Sequence, residues 1–162
     1  MQKLLIVIAG PTAVGKTDFC VRLARALQTE VISADSRQFY RELTIGTAKP
    51  SEAELKGVPH HFINSHSIET LYSAGAFVRD APSVLDTSFQ TKNVVLLTGG
   101  SGLYIKAVCE GLDDLPETPP EFRSELMQRL ETEGLEVLQT QLQTLDPVYC
   151  TQNDLQNTQR VV

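Results

Sequence analysis

The chain has 162 residues, 41% of them apolar, and a formal net charge of −6 at pH 7. This length accommodates one ordinary domain with a small insertion, and no apolar run approaches the ~20 residues that a membrane-spanning helix requires. Composition therefore argues against a membrane protein, whereas the acidic charge argues only weakly against a nucleic-acid partner, because it is concentrated after residue 112.

The first predicted elements are a short buried strand over residues 3–9 and a helix over 16–28. Positions 4 to 9 are all apolar and the run stops at Gly-Pro, which is typical of a buried strand. The turn between strand and helix reads GPTAVGKT, the P-loop pattern, in which backbone N–H groups and a helix N-terminus surround a phosphate. The predicted cradle consists of Gly10, Pro11, Thr12, Ala13, Val14, Gly15, Lys16 and Thr17.

Each type of residue in a P-loop has its own task. Gly10 and Gly15 allow the backbone to approach the anion closely, Lys16 adds a positive charge at the terminal phosphate, and the Thr17 hydroxyl can hold Mg²⁺. The pattern indicates phosphates but not the compound that carries them. A hydrolysed nucleotide, a nucleotide that donates a phosphoryl group and another diphosphate all remain open.

The next part of the chain contains one strand, a long loop and one helix. Residues 30–34 predict a second short strand that ends at Asp35, and residues 41–70 are loop-like because prolines and a glycine interrupt any period. A helix is predicted over 73–90, with Ser73 as its cap. Pro82 falls inside this helix, where a proline costs ~3 kcal/mol, so we expect a kink or two shorter pieces.

A third strand over 94–98, apolar up to Leu97, and a helix from about 103 to 110 complete a strand–helix alternation. Continuously apolar strands that alternate with helices predict a parallel sheet covered on both faces, here a P-loop NTPase-like α/β fold. Ligands of such sheets bind beyond the carboxyl ends of the strands. Residues 10–17, 35–40 and 99–104 should therefore lie along one edge.

The positions of Asp and Glu relative to the strands distinguish hydrolysis of a nucleotide from transfer to an acceptor. A hydrolysing NTPase needs an Asp or Glu that closes an apolar strand and helps to hold magnesium, but the strand over 94–98 ends in a threonine followed by glycines. The candidate carboxylate is Asp35, after the second strand. This arrangement favours transfer to a small acceptor that Asp35 activates as a general base.

The last fifty residues differ in character. They hold 3 Lys or Arg against 10 Asp or Glu, whereas residues 1–112 hold 11 against 10. Leu115-Pro116 and Pro119-Pro120 predict a hinge, followed by amphipathic helices over about 121–132 and 134–145 and a further turn that starts at Asp146-Pro147. The predicted divisions are a P-loop α/β catalytic core over 1–112, an acidic helical insertion over 113–157 and the start of a return to the core over 158–162.

The cysteines bear on the compartment. Cys20, Cys109 and Cys150 share no metal-ligand spacing and are odd in number, so a reducing compartment is the simplest interpretation. The apolar run at the N-terminus ends at the phosphate motif and is interpreted as a strand, not as a signal peptide. We therefore expect a cytoplasmic protein in which all three thiols fill small apolar spaces.

Six short motifs occur in one order along the chain: GPTAVGKT (10–17), DSRQFY (35–40), IGTAKP (45–50), PHHFI (59–63), YSAGAF (72–77) and GGSGLYIKA (99–107). In this order they resemble the tRNA dimethylallyltransferases, also called tRNA isopentenyltransferases or the IPP transferase family. The resemblance runs from Leu4 to about Val162. Most of the motifs are weak alone, and it is their common order that makes the resemblance specific.

The resemblance implies an enzyme that prenylates N6 of the adenine 3′-adjacent to the anticodon of a tRNA. It implies that the cradle holds the diphosphate of dimethylallyl diphosphate, with Mg²⁺ as cofactor, and not ATP. It also implies that Asp35 is the general base, hydrogen-bonded to the exocyclic amine of a flipped-out adenine. Ser36, Arg37 and Gln38 correspond to the family's base-recognition loop.

Further site residues follow from the same resemblance. Ser101 matches a position that is usually threonine, whose hydroxyl contacts the scissile oxygen or the tRNA, and it joins Asp35 and Lys16 as an implied catalytic residue. Serine keeps this hydroxyl and lacks the methyl group. Arg123 and the pair Gln159-Arg160 match other tRNA-contacting positions.

Two observations on the last part of the chain fit the family pattern poorly. The family continues well beyond the position of Val162, so the chain is expected to be a fragment that lacks part of its tRNA channel and is poorly active alone. The family's insertion approaches the anticodon stem, which the acidic charge of residues 113–162 fits poorly. The expected partners remain the tRNA anticodon stem-loop and dimethylallyl diphosphate, with a monomeric protein and no membrane.

Three other functions remain as alternatives. A P-loop small-molecule kinase shares the cradle and can also use an Asp after its second strand, and a prenyltransferase acting on free AMP would use the same chemistry. An inactive tRNA- or nucleotide-binding fragment is the third.

Four further polar side chains are candidates for chemistry. His60 and His61 lack a third ligand at useful spacing, so a structural or substrate-loop role is favoured over metal binding. Lys49 and Thr47 are equally compatible with a phosphate contact and with a solvated surface.

Overall fold

The computed structural model describes residues 2–112 and 118–162. The chain forms two compact units, Met1–Asp113 and Asp114–Val162. The predicted hinge at Leu115-Pro116 lies outside the described residues, as does the predicted first residue of the insertion, Asp113.

The first unit is built on a parallel sheet of four strands. In chain order these are β1 (Leu4–Ala9), β2 (Val31–Ser33), β3 (His60–His61) and β4 (Val94–Gly99). Their order across the sheet is β1-β4-β2-β3, and every described pairing is parallel. The predicted parallel sheet is therefore confirmed, and β4 lies between the strand that precedes the cradle and the strand that precedes Asp35.

Helices flank this sheet. The first unit contains α1 (Lys16–Leu27), α2 (Glu52–Leu55), α3 (Ala74–Thr91) and α4 (Gly102–Glu110). Helix α1 packs on β1 and β4, and α3 and α4 pack on each other and on β4. The alternation of strands and helices thus gives the α/β fold that the sequence predicts.

The expectation at Pro82 is a kink or two shorter pieces. Helix α3 is one continuous element of 18 residues, so the second of these, a division, is wrong. The helix begins as predicted, because the Ser73 hydroxyl accepts a hydrogen bond from the N–H of Ala76 at 3.2 Å. Phe77 and Ala81, in the turns before the proline, are fully buried. Their packing on the sheet outweighs the loss of one helical hydrogen bond at the proline.

The segment predicted as a plain loop contains two short elements. Helix α2 is a single turn that starts with a capping box, in which Ser51 and Glu54 exchange hydrogen bonds. Strand β3 has only two residues, and Val31 and Ile32 of β2 are their partners. Two residues carry no periodicity, so the sequence contains no signal for a strand that exists only through pairing with β2.

The core lies on both faces of the sheet. Ile32, Leu97 and the α3 residue Phe77 belong to one buried cluster, whereas Val31 and Leu96 belong to a second cluster with residues of α1. Neighbouring positions of β2 and β4 thus face opposite sides, as strand geometry requires. The first cluster is rich in aromatic rings, and the ring centroids of its contacting pairs lie 4.9 to 6.5 Å apart; the rings belong to Phe39, Phe62, Tyr72, Phe77 and Tyr104.

The second unit consists of helices in its described part. These are α5 (Pro120–Glu133), α6 (Leu135–Leu145), α7 (Pro147–Gln152) and α8 (Thr158–Val161). Helix α6 packs against the other three, and its residue Leu138 is buried. Residues 158–162, the predicted start of a return to the core, belong to this unit, and the first four of them form α8.

Two further expectations concern the burial of the three cysteine thiols and the presence of a membrane-spanning helix. All three cysteines are free, and Cys20 is buried, but Cys109 is exposed. The prediction that every thiol fills an apolar space is therefore wrong for Cys109, because it lies on the outer side of α4. In the part of the chain that the structure describes, none of the helices combines the length and the apolar composition needed to cross a membrane.

Candidate active site

The glycine-rich turn between β1 and α1 adopts a conformation that exposes its backbone. Gly15 has φ of 91° and Ala13 has φ of 67°, both in the left-handed region. A side chain at position 15 would be strained there, so glycine is required by the backbone. Helix α1 begins directly afterwards, at Lys16, so its first N–H groups point out of the helix toward the turn. This is the local geometry of an anion-binding cradle.

Lys16 folds back over the turn. Its Nζ donates hydrogen bonds to the carbonyl oxygen of Gly10 at 2.7 Å and to that of Pro11 at 2.5 Å. The ammonium group is thus held at the cradle by neutral acceptors and has no carboxylate partner among the described contacts. A bound phosphate would offer this cation a charged acceptor in place of the carbonyls, and charge-assisted hydrogen bonds are the stronger kind.

Behind the turn lies a buried thiol. Cys20 of α1 is fully buried, and burial raises its pKa, although a hydrogen bond with Thr98 opposes the shift. Cys20 therefore remains a neutral thiol at pH 7 and packs as a small apolar side chain. The Thr98 hydroxyl donates to the carbonyl oxygen of Ile8 at 3.1 Å and so ties the end of β4 to β1.

Asp35 lies in a tight turn just beyond β2. One of its carboxylate oxygens accepts a hydrogen bond from the N–H of Arg37 at 3.1 Å, and its carbonyl accepts from the N–H of Gln38 at 3.0 Å. The neighbouring residue is fixed from another element, because Ser36 N–H donates to the Ser101 hydroxyl at 3.1 Å. The carboxylate is therefore carried by a turn that is bonded both to itself and to the start of α4.

Two cavities adjoin at the carboxyl ends of the strands. The first, of about 230 Å³, contains the cradle, and the second, of about 180 Å³, contains the turn after Asp35. Thr12 and Asp35 line both. The first cavity is lined by Thr12, Ala13, Gly15, Lys16, Thr17, Ser33, Asp35, Gln38, Ala48, Thr98 and Gly99. The second is lined by Thr12, Asp35, Ser36, Arg37, Gly46, Thr47, Gly100 and Ser101.

Two glycines at the end of β4 keep this region open. A Cβ atom at Gly99 would lie 2.2 Å from the carbonyl oxygen of Ala34, so the backbones approach each other too closely for any side chain. A Cβ atom at Gly100 would lie 3.7 Å from the Thr12 hydroxyl and 3.9 Å from a carboxylate oxygen of Asp35. Gly100 thus lies beside the two residues that line both cavities.

The donor atoms suit Mg²⁺ bound together with a phosphate compound. Among the residues described, no three His, Cys, Asp or Glu side chains group into a metal site. Thr17 lines the first cavity, however, and its hydroxyl offers an oxygen ligand. Mg²⁺ commonly keeps several waters and uses one or two protein oxygens plus substrate phosphates, so this sparse set fits the ion.

The four further polar candidates have structural partners. His61 Nε2 lies 2.8 Å from a carboxylate oxygen of Glu30, and His60 Nδ1 lies 2.9 Å from the carbonyl oxygen of Val58. Lys49 Nζ donates to the side-chain oxygen of Asn64 at 2.8 Å. Thr47 is buried, and its hydroxyl donates to a carbonyl of its own loop. None of the four presents an unbonded polar group to the cradle in the described contacts.

The remaining predicted tRNA contacts divide between the two units. Ser36, Arg37, Gln38 and Ser101 line the cavities of the first unit, and Arg37 is exposed. Arg123, Gln159 and Arg160 belong to the second unit and are exposed. Their roles stay predictions.

Several residues that line the cavities are not indicated by the sequence. Ser33 and Thr98 are strand residues, which the sequence pattern places in the interior, and Gly46 and Ala48 belong to the long loop after β2. The IGTAKP motif marks this loop as part of the family pattern, but nothing in its composition indicates that the loop folds back to the cradle.

These features define a parallel α/β protein with a glycine-rich turn after its first strand. Residues 38–162 match the family model described as IPP transferase. The chain belongs to the IPP transferase family. This matched segment begins after the glycine-rich turn. The turn itself is included in the alignments with individual relatives, which span the whole chain or nearly so.

The curated relatives agree with this assignment. The chain is 49% identical over 162 residues to a tRNA dimethylallyltransferase of Christiangramia forsetii and 47% identical over 160 residues to tRNA dimethylallyltransferase 1 of Bacteroides fragilis. These alignments cover 100% and 99% of the chain but 54% and 53% of the relatives. The chain therefore spans about half the length of the curated relatives that it matches.

Solved structures show the same fold. A full-length tRNA isopentenylpyrophosphate transferase from Bacillus halodurans matches with a TM-score of 0.66 and 35% identity, over 99% of this chain and 53% of that one. A eukaryotic dimethylallyltransferase acting on tRNA matches with a TM-score of 0.80 and 26% identity, over 99% of this chain and 40% of that one.

Proposed function

We propose that this chain provides the donor site and the general base of an enzyme that prenylates tRNA. The reaction transfers a dimethylallyl group from dimethylallyl diphosphate to N6 of the adenine 3′-adjacent to the anticodon. The observation that carries the proposal is that Thr12 and Asp35 line two adjoining cavities, one with a phosphate cradle and one with a polar turn. A group transfer between two bound substrates needs such an arrangement.

The first cavity is the proposed donor site. The diphosphate lies in the cradle, where Lys16 and the N–H groups at the start of α1 stabilise the negative charge that develops as the allylic C–O bond breaks. Thr17 would help to hold Mg²⁺, which would supply further charge stabilisation at the diphosphate. The binding of ATP is not needed for this chemistry.

The second cavity is the proposed acceptor site. Adenine must leave the base stack to enter it, and the single-stranded anticodon loop allows this at low cost. Its exocyclic amine is a poor nucleophile because its lone pair is conjugated with the ring. Asp35 accepts a proton from this amine while the new C–N bond forms, and the diphosphate departs with the electron pair of the broken C–O bond. Ser101 contributes a hydroxyl near Ser36 in the same cavity.

Contacts with the rest of the tRNA are proposed at exposed polar residues. Arg37 is exposed beside the second cavity. It suits a backbone phosphate of the tRNA, because a guanidinium group can form bidentate hydrogen bonds with phosphate. Arg123, Gln159 and Arg160 are proposed as further contacts on the helical unit. The names of the curated relatives and of the eukaryotic structure support tRNA as the substrate class.

The test supplies the full-length protein with dimethylallyl diphosphate, Mg²⁺ and an anticodon stem-loop that carries the target adenine. We expect prenylated adenine and released diphosphate, detected by mass spectrometry of the digested RNA. Two parallel reactions replace the stem-loop by AMP or the donor by ATP. Prenylated AMP in preference to RNA, or phosphoryl transfer from ATP to a small acceptor without prenyl transfer, would contradict the proposal.

A further inference from the structure

One short loop segment lines both cavities although it belongs to neither the cradle nor a strand end. Gly46 and Thr47 line the second cavity and Ala48 lines the first. We call this segment, Gly46 to Ala48, the dividing turn. It lies in the loop between β2 and α2, and no secondary structure element fixes it.

The backbone of the dividing turn needs outside support. Gly46 has φ of 75° and Ala48 has φ of 48°, both in the left-handed region. Alanine adopts this region only at an energetic cost, so contacts with other residues must hold it there. The Thr47 hydroxyl donates to the carbonyl of Leu43 at 3.1 Å, but that bond lies within the same loop.

The first outside support is Gln38. Its side-chain nitrogen donates to the carbonyl oxygens of Thr47 at 3.3 Å and Ala48 at 3.2 Å, and its side-chain oxygen accepts from the Ser33 hydroxyl at 3.3 Å. Both of the hydrogen bonds that the side-chain nitrogen donates thus go to the dividing turn. Gln38 follows Asp35 by three residues, so its amide connects the turn that carries the carboxylate to the dividing turn.

The second outside support is Lys49, which follows the dividing turn directly. Its Nζ donates to the side-chain oxygen of Asn64 at 2.8 Å and to the carbonyl oxygen of Tyr40. Burial lowers the pKa of Lys49, in keeping with an ammonium group that is drawn away from water, while the charge of Glu42 opposes this shift. The cation therefore anchors the end of the loop to the segments before and after it.

We propose that Gln38 and Lys49 are positioning residues that jointly hold the dividing turn as a wall shared by the donor and acceptor cavities. This inference rests on the proposed function. In this role both side chains act on the transfer through the dividing turn, and for Gln38 this role stands in place of the base recognition that the family resemblance implies. Loosening the wall leaves the cradle intact but lets the two substrates shift relative to each other, which lowers the rate of transfer more than the affinity for either one.

The experiment uses four variants of the full-length protein: Gln38→Met and Lys49→Met, which keep the length of each side chain without its donors, their double variant, and Lys49→Arg. The readouts are the single-turnover rate with saturating substrates, the affinity for pyrophosphate with Mg²⁺, and amide hydrogen exchange of residues 46–48. Exposed Lys106→Met serves as the control. A Gln38→Glu variant, which also removes the donors, replaces Gln38→Met if that protein does not fold.

We expect each single Met variant to lose roughly 10- to 100-fold in the rate, because a misplacement of about 1 Å has this effect. The affinity for pyrophosphate should stay within about twofold, and amide hydrogen exchange of residues 46–48 should accelerate. The loss of rate in the double variant should be smaller than the product of the two single losses, since both side chains act on one turn. Lys49→Arg should recover most of the rate.

Three results would overturn the inference. They are unchanged exchange at the dividing turn, multiplicative losses in the double variant, and a loss confined to KM for the RNA, which would indicate direct contact with the nucleic acid. Failure of the proposed function itself is distinguishable, because the unsubstituted protein would then transfer no prenyl group while the exchange measurement still reports on the turn.

Discussion

The side-chain hydroxyl of Ser101 accepts a hydrogen bond from the backbone N–H of Ser36 at 3.1 Å, across 65 residues of sequence. Ser101 is the N-cap residue of α4, yet its hydroxyl makes no bond to that helix. The hydroxyl of Ser101 thus bonds to the turn that carries Asp35 and not to α4, the helix that follows Ser101. The location of the carboxylate therefore depends on the start of α4.

Replacement of this hydroxyl tests that dependence. Ser101→Ala leaves the Ser36 N–H without its acceptor, which costs about 1–3 kcal/mol when the group is buried, and the transfer rate should fall roughly 10-fold or more. Ser101→Thr keeps the hydroxyl and should retain most of the rate. Single-turnover prenyl transfer in the full-length protein measures both, and equal rates for the alanine and threonine variants would contradict the assignment.

Lys16 is expected to hold the diphosphate. Lys16→Met keeps the side-chain stem and removes the charge, so pyrophosphate with Mg²⁺ should bind roughly 10- to 100-fold more weakly, as a hydrogen bond to a charged group contributes about 1.5–3 kcal/mol. Titration calorimetry measures the affinity. The matched control is Lys106→Met on the exposed side of α4, which should bind pyrophosphate normally. Unchanged affinity in Lys16→Met would mean that the anion binds elsewhere.

The two glycines after Thr98 should respond differently to the same change. Gly99→Ala forces a methyl group against the backbone of Ala34, and overpacking of this kind costs about 1–3 kcal/mol or more. Gly100→Ala places its methyl group at ordinary contact distance, so its stability should change by less than about 0.5 kcal/mol. Thermal unfolding compares them. A melting temperature of Gly99→Ala equal to that of Gly100→Ala would show that the strands do not approach this closely.

The hydrogen bond between Glu30 and His61 predicts a pH dependence of stability. The hydrogen bond from His61 is the main cause that lowers the pKa of Glu30, and Ser88 contributes. A lowered carboxylate pKa stabilises the fold above the unfolded-state value of about 4.3, and this contribution disappears as the pH falls through the lower, folded-state pKa. Glu30→Gln should therefore lower the melting temperature at pH 7, and the difference from the unsubstituted protein should shrink as the pH falls below about 4.

The matched control for Glu30 is Glu131→Gln, an exposed residue of α5. It should leave the melting temperature nearly unchanged at both neutral and acidic pH. A difference between Glu30→Gln and the unsubstituted protein that stays constant from about pH 7 to about pH 3 would show that the hydrogen bond with His61 does not lower the pKa of the Glu30 carboxylate.

The main strands and the cradle are predictable because their signals are local. The all-apolar run before Gly10 and the pattern from Gly10 to Thr17 indicate a strand, a turn and a helix without knowledge of the rest of the chain. Asp35 is identified in the same way, since it follows an apolar run. Parallel pairing then brings these strand ends to one edge of the sheet, and the structure has both the cradle and Asp35 on the first cavity.

The features that escape sequence-based prediction depend on distant contacts. Strand β3 exists only because His60 and His61 pair with β2, and α3 continues through Pro82 because its neighbours are buried. The dividing turn reaches the cavities through hydrogen bonds from Gln38, whose place in the sequence carries no indication of this use. Such contacts require the folded chain, since no local preference encodes them.

The most direct test of the central claim is the effect of Asp35→Asn on chemistry and on binding in the same preparation. Asparagine keeps the shape of the side chain and cannot accept the amine proton as a base. Single-turnover transfer to the stem-loop should fall at least about 100-fold, the usual lower range for the loss of a general base. The affinity for pyrophosphate with Mg²⁺ should remain within about twofold of that of the unsubstituted protein. Transfer at an unchanged rate would contradict the claim that Asp35 activates the acceptor.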